Sequence, residues 1–176
     1  MIICISLVLM AVILFTLFKA SQLTELKIET EITVNAALDS VFMLVADQRH
    51  FYKWSPFLYK NPQLKYEIKG AGAMVGTQLH WIGDETNRDI GYQEIIKLDS
   101  PLFISIKCDV KKPFTSQSVF NYTFSGNSRS ATVKQSFEMK SSLRSAVFLW
   151  ILGAKSDIET TNELGLELLR KVLEEP

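Results

Sequence analysis

The chain has 176 residues, 47% of them hydrophobic, with 19 Lys plus Arg against 19 Asp plus Glu and hence no formal net charge at neutral pH. That length allows one domain with a real core and not two. With no net field to steer nucleic acid, acidic substrates or anionic lipid over distance, no nucleic-acid partner is expected.

Residues 2–18 carry no charge and contain twelve Leu, Ile, Val and Phe residues before Lys19 ends the run. As a helix the run spans about 25 Å, slightly under the roughly 30 Å hydrocarbon thickness. At about −0.3 to −0.6 kcal/mol per large apolar residue near the bilayer centre, insertion is favoured by several kcal/mol. The expectation is an uncleaved transmembrane anchor over residues 1–19 and a linker over 20–25, giving a single-pass membrane protein. A cleaved signal peptide fits less well, because no Lys or Arg precedes the run and Phe18-Lys19-Ala20 departs from the small-x-small cleavage pattern. A buried core helix fits least, because the run has no polar face. Lys19 and Lys27 are offset by Glu25 and Glu29, so the flanking charges set no orientation.

Leu26, Ile28, Ile32 and Val34 alternate with Lys27, Glu29, Glu31 and Thr33, which predicts a half-buried antiparallel strand. Apolar residues at 38, 41, 42, 45 and 46 then follow helical spacing, and a second short helical turn is expected over 48–53, ending before Pro56. Six further strands are expected over 64–69, 77–81, 90–98, 102–110, 119–124 and 131–139. They are separated by turn signals such as Gly70-Ala71-Gly72, Gly83-Asp84, Asp99-Ser100-Pro101 and Ser125-Gly126-Asn127. These connections are too short for parallel crossovers. Residues 142–174 read as helix, with Ile158, Leu164, Leu168 and Val172 on one stripe and a division expected at Gly153.

The order strand, two short helices, six strands and long terminal helix matches the helix-grip fold. Ile32-Thr33-Val34-Asn35-Ala36, Val41-Phe42, Val45-Ala46-Asp47 and Trp54-Ser55-Pro56 resemble the opening of the polyketide cyclase/dehydrase branch of the START-like (SRPBCC) superfamily. Val75-Gly76-Thr77 with Trp81, Gly91 with Glu94-Ile95, Lys112-Pro113-Phe114, and Thr132-Val133 before Phe137 follow in that family's order. The resemblance covers residues 26–176. It implies an α+β domain in which a curved seven-stranded antiparallel sheet wraps around the long C-terminal helix, leaving a cavity for an apolar or amphipathic small molecule. Within such a superfamily the cavity serves carriage, sensing and some ring-closing chemistry, so the fold alone does not assign a function.

Catalysis in such a cavity needs an acid or base inside it, and the candidates are Asp47, Arg49, His50, His80, Glu94, Asp109 and a few tyrosines. His80 neighbours Trp81 in a strand, so one faces the cavity and the other faces away; hydrophobicity sends Trp81 inward and His80 to the surface. His50 sits beside Phe51-Tyr52 as an edge residue. Asp47 with Arg49 reads as a cap or surface ion pair worth under about 1 kcal/mol. No catalytic residue is assigned. Gly70, Gly72 and Gly76 form no phosphate cradle, since no helix follows to offer its N-terminus.

Cys4 and Cys108 lie in different elements and make no disulfide framework, and no short-interval Cys or His pairing offers zinc ligands, so no metal or other cofactor is expected. Large side chains projecting from the sheet and helix are the candidate ligand contacts: Trp81, Tyr92, Phe103, Phe120, Tyr122, Phe137 and Trp150. Trp54 is expected to anchor the helix pair. Residues 146–152 are apolar on every side, so something must cover them; a gate over the cavity that dips into the bilayer is the expectation.

Three readings follow. The first is membrane-anchored, non-catalytic binding of a hydrophobic small molecule or lipid. The second is a cyclase or dehydratase-type enzyme using the same cavity. The third is an interaction module of an envelope complex, for which an exposed apolar patch would speak.

Overall fold

The strands form where apolar and polar residues alternate, so that one face of a single sheet is buried. The computed structural model describes residues 2–83, 90–112 and 116–175. The strands are β1 (Glu25–Val34), β2 (Lys65–Lys69), β3 (Gln78–Ile82), β4 (Ile90–Asp99), β5 (Phe103–Lys112), β6 (Ser116–Gly126) and β7 (Ala131–Lys140). They pair antiparallel in the order β1-β7-β6-β5-β4-β3-β2. The first strand therefore closes the sheet beside the last one, while β2 to β7 form a meander. The register shifts twice in the β4/β5 pair, at Ile90/Gly91 and at Ile95/Lys97, and such bulges bend a sheet.

The helices are α1 (Ile2–Ser21), α2 (Leu38–Ala46), α3 (Phe51–Trp54), α4 (Pro56–Lys60), α5 (Leu143–Ile151) and α6 (Ala154–Glu174), with a 3₁₀ turn at Gln48–His50. The anticipated stop before Pro56 is a restart. Proline occupies the first turn of α4, where its missing N–H costs nothing, and Ser55 Oγ accepts from Leu58 N–H at 3.3 Å. Gly153 divides the terminal helix with φ of +66°, a left-handed conformation that side-chain-bearing residues adopt at a cost.

Curvature and the two sets of helices produce two apolar clusters. The larger joins α2, Trp54 and α6 residues Leu166 and Leu169 to Ile32, Val34, Ile95, Ile104, Ile106, Tyr122, Phe124 and Val133 of the sheet. The smaller joins Ala20 and Leu23 to Leu26, Ile28, Phe137, Met139 and Ala146, with Trp150 packed against it. The stretch 20–25 comprises the end of α1, a connection over residues 22–24 and the first residue of β1, with Ala20 and Leu23 buried against the domain. Of the turn at Gly83-Asp84, Asp84 lies outside the described residues, as do Pro113 and Phe114.

Candidate ligand cavity

Period-two alternation decides which side chains face the helices. Trp81 pairs with Tyr66 and Gly91, and Ile106 pairs with Phe120, so these residues share the concave face. The α3–α4 corner and the middle of α6 close over that face without filling it, leaving a cavity of about 340 Å³. Its sheet wall is Tyr66, Leu79, Trp81, Gln93, Ile106, Cys108, Val110, Phe120, Tyr122 and Gln135. Its helical wall includes Phe51, Trp54, Pro56, Phe57, Leu58, Asn162 and Gly165.

Several of these groups are held by packing. Trp54 donates from Nε1 to the Leu44 carbonyl at 3.2 Å and meets Tyr122 edge-on at 6.2 Å, so it anchors the helices and lines the cavity together. Gly165 lets α6 approach Pro56, whose Cγ and Cδ lie 3.4 Å from where a Cβ would stand. At the lip, Lys60 donates from Nζ to Thr161 Oγ1 at 2.8 Å, linking α4 to α6.

Polar atoms are few. Gln93 Nε2 donates to Gln48 Oε1 at 2.5 Å, and Thr30 Oγ1 lies 3.4 Å from Gln135 Oε1. Asn162 is 5% exposed and its Nδ2 is buried without a hydrogen-bond partner among the described residues. Burial pushes the Cys108 thiol up to about 12 and raises the Tyr122 phenol above its ordinary value. Among the described residues no His, Asp or Glu lines this cavity, and no group of three or more His, Cys, Asp and Glu could hold a metal ion.

The seven aromatic candidates separate by place. Trp81, Phe120 and Tyr122 line the cavity. Phe137 shares their face but packs behind Phe120, ring centroids 5.0 Å apart, in the smaller cluster. Tyr92 is on the opposite face, stacked on His80 at 5.3 Å, because the pairing of Trp81 with Gly91 fixes the parity of β4. Phe103 is also on that face, half-buried under Lys97 Nζ at 5.1 Å. Trp150 lies on α5 against Phe15 of α1, centroids 6.2 Å apart. The apolar α5 segment packs its Ala146 and Trp150 side against α1, leaves Phe148 and Ile151 exposed, and does not line the cavity.

The acid–base candidates lie elsewhere. Asp47 caps the 3₁₀ turn, accepting from Arg49 N–H at 2.9 Å and from the guanidinium at 2.6–3.0 Å. The Arg49 guanidinium holds its carboxyl below the usual range. His80 sits in a shallow groove with Glu67, Lys69, Tyr92 and Lys111, and burial and Lys69 lower its pKa. Asp109 resists burial through Lys107 and Tyr92, with Lys107 Nζ at 2.8 Å, and ionises more readily than an ordinary aspartate. Glu94 accepts from Gln78 Nε2 at 3.0 Å.

No family model matches the chain, and no curated protein matches it. Solved structures do. A protein from Arthrobacter aurescens aligns with a TM-score of 0.62 at 13% identity over 86% of this chain and 87% of its own. CV1439 from Chromobacterium violaceum aligns at 0.62 and 13% identity, over 85% and 98%. DynU16, a protein of the dynemicin biosynthetic locus, aligns at 0.58 and 14% identity over 85% of this chain. This chain spans about half of DynU16, 47% of its length. At these identities the likeness is one of fold: the chain has a helix-grip fold, a seven-stranded antiparallel sheet against C-terminal helices, with a largely apolar cavity between them.

Proposed function

We propose that this chain is a single-pass membrane protein of the polyketide cyclase/dehydrase branch that binds a hydrophobic small molecule or lipid in its cavity without chemical turnover. The composition of the wall carries this reading. Aromatic and aliphatic side chains make up most of the lining, and among the described residues no carboxylate or imidazole is part of it. The Cys108 thiol and the Tyr122 phenol in the wall are pushed away from neutral titration by burial, which makes these two poor general acids or bases at pH 7. The volume falls at the lower end of the about 300–1,000 Å³ common for small-molecule sites, and affinity would come from apolar burial at about 25 cal/mol per Å². Buried amides, Gln93, Gln135 and Asn162, would orient a ligand carrying a few polar atoms. The membrane part rests on residues 3–21, a helix with mean hydropathy of 2.5 and little of its surface covered by the rest of the chain.

The test is native mass spectrometry of the full chain purified in mild detergent, with organic extraction of what travels with it. A hydrophobic molecule bound in simple stoichiometry and released intact supports binding. Conversion of the extracted molecule to a different mass on return to the protein would replace binding with catalysis. A protein that stays empty and gains no stability from hydrophobic probes would exclude both.

A further inference from the structure

The hairpin of α5 and α6 ends in apolar side chains that neither the cavity nor the core uses: Ile151 and Leu152 are 63% and 61% exposed. Two hydrogen bonds fix where this hairpin leaves the body. Ser141 donates its N–H to the Thr24 carbonyl and its Oγ–H to the Leu23 carbonyl, both at 2.9 Å, so α5 starts beside the end of α1. Ala20 and Ala146, both fully buried in one cluster, let the helices approach closely. Farther out, Phe15 meets Trp150 edge-on at 6.2 Å. From Ser21 back to Phe15 and from Leu143 forward to Trp150 each helix covers about 10 Å. The two therefore run antiparallel, and the hairpin tip reaches the level of Phe15, roughly one turn, about 6 Å, beyond Lys19.

Lys19 is the charge that ends the apolar run, so it marks the polar boundary of any span that α1 makes. We propose that the α5–α6 tip, residues 150–152, inserts into the interfacial region of the leaflet that α1 enters, to a depth of about 5–10 Å. This inference rests on the reading that α1 spans a bilayer. Trp150 then occupies the depth where indoles are favoured. Lys155 and Asp157, exposed in the first turn and a half of α6, limit entry to the tip. The consequence is a domain held at two points rather than swinging on a tether. Thr161, at the cavity lip, lies about 10 Å along α6 from its start. A ligand dissolved in the bilayer then reaches the cavity from the headgroup layer without crossing bulk water.

Single spin labels in the full chain carrying Cys4→Ser and Cys108→Ser, reconstituted into phosphatidylcholine and phosphatidylglycerol vesicles, test this. Labels go at Val12→Cys, Leu152→Cys and Glu163→Cys. The expected result is broadening by oxygen with loss of broadening by an aqueous nickel chelate at positions 12 and 152, and the reverse at 163. A label at 152 in contact with nickel while that at 12 is shielded overturns the insertion and spares the span; contact at both overturns the two together. Shielding of 152 from both reagents would assign the tip to a second protein copy and overturn the bilayer as its partner. Should the cysteine-free background fold poorly, the unaltered chain serves in vesicles brominated at shallow acyl positions. Tryptophan quenching that is lost in Trp150→Phe supports insertion, and quenching absent from both overturns it.

Discussion

The indole of Trp81 lies directly over Gly91: a Cβ built on Gly91 would stand 2.3 Å from Trp81 Cζ2 and 2.4 Å from the Asp109 carbonyl oxygen. Two strands thus approach a large ring because the residue opposite it has no side chain. The backbone carbonyl cannot give way, so in Gly91→Ala the indole must move into the cavity or the bulge beside Gly91 must open. The expected cost is about 1–3 kcal/mol, a loss in Tm on the order of 5 °C. Circular-dichroism melts measure the cost, and a shift in tryptophan emission together with reduced binding of a hydrophobic probe shows where the ring has gone. A variant with wild-type melting and emission would mean that Gly91 is not holding Trp81 in place.

This contact also shows why part of the site was legible in the sequence and part was not. Alternation marked the seven strands within a few residues, since a sheet buried on one face imprints period two on its sequence. Alternation puts His80 and Trp81 on opposite faces, and hydrophobicity selects Trp81 as the inward one. In β4 the pattern Ile90-Gly91-Tyr92-Gln93 offers Tyr92 as the bulky inward choice, whereas pairing with Trp81 makes the small Gly91 and the amide of Gln93 the inward residues. The bulge at Ile95/Lys97 then changes the parity, so that Ile95 is buried, Ile96 and Lys97 are both exposed and Leu98 packs against the core. Phe103 was misplaced although Ile104, Ile106 and Val110 in the same strand carry the inward signal. The helical wall was harder. Phe57 and Leu58 enter the site because Pro56 restarts a helix, and Asn162 and Gly165 because of the rotation of α6. The partner of α5 was hidden too, as contact between the two ends of a chain leaves no local periodicity.

Asp47 and Arg49 supply a prediction in pH. The Asp47 carboxylate is almost fully buried while Arg49 is 65% exposed, so solvent screens the pair and about 1 kcal/mol is a fair expectation for Asp47→Asn. The folded-state pKa lies below the unfolded value, so the contribution is complete above about pH 4 and is lost as pH falls through the folded pKa. The Tm difference between wild type and Asp47→Asn should be constant from pH 7 to about 5 and shrink towards zero in stronger acid. A difference that grows in acid would refute the assignment. Gly72, at φ of +86°, belongs to the same unit: a Cβ there would come within 2.7 Å of Asp47 Oδ1 and 2.8 Å of Arg49 Nε. Gly72→Ala should therefore flatten the pH profile in the same way.

Gly165 separates stability from binding. It lies inside α6, where replacement of glycine by alanine favours the helix by up to about 1 kcal/mol, and its added Cβ would meet Pro56 in ordinary contact at 3.4 Å. Gly165→Ala should keep or slightly raise Tm. Gly165→Leu extends into the space between α6 and α4 and should weaken a hydrophobic probe on the order of tenfold, about 1.4 kcal/mol, with the fold retained by circular dichroism. Equal probe affinity in the folded leucine variant would place the binding site outside this cavity.

Cys108 reports on the cavity from within. Its side chain lines the same sheet wall as Tyr122 and Gln135, and burial lifts its pKa to about 12. At pH 8 the thiolate is then on the order of one part in ten thousand, against roughly a quarter for a free cysteine. In a Cys4→Ser background, thiol-directed reagents at pH 8 should modify the native protein thousands of times more slowly than the denatured one. Small reagents matter here, because access and ionisation act together: a compact alkylating agent that enters the cavity is limited by thiolate content, and its rate should climb about tenfold per pH unit up to pH 10. A hydrophobic molecule that occupies the cavity should slow even that reaction in proportion to its occupancy, giving a binding curve without any label. Rapid modification of native Cys108 at neutral pH would mean that water reaches this wall freely, and the apolar lining could not then supply the affinity assigned to it.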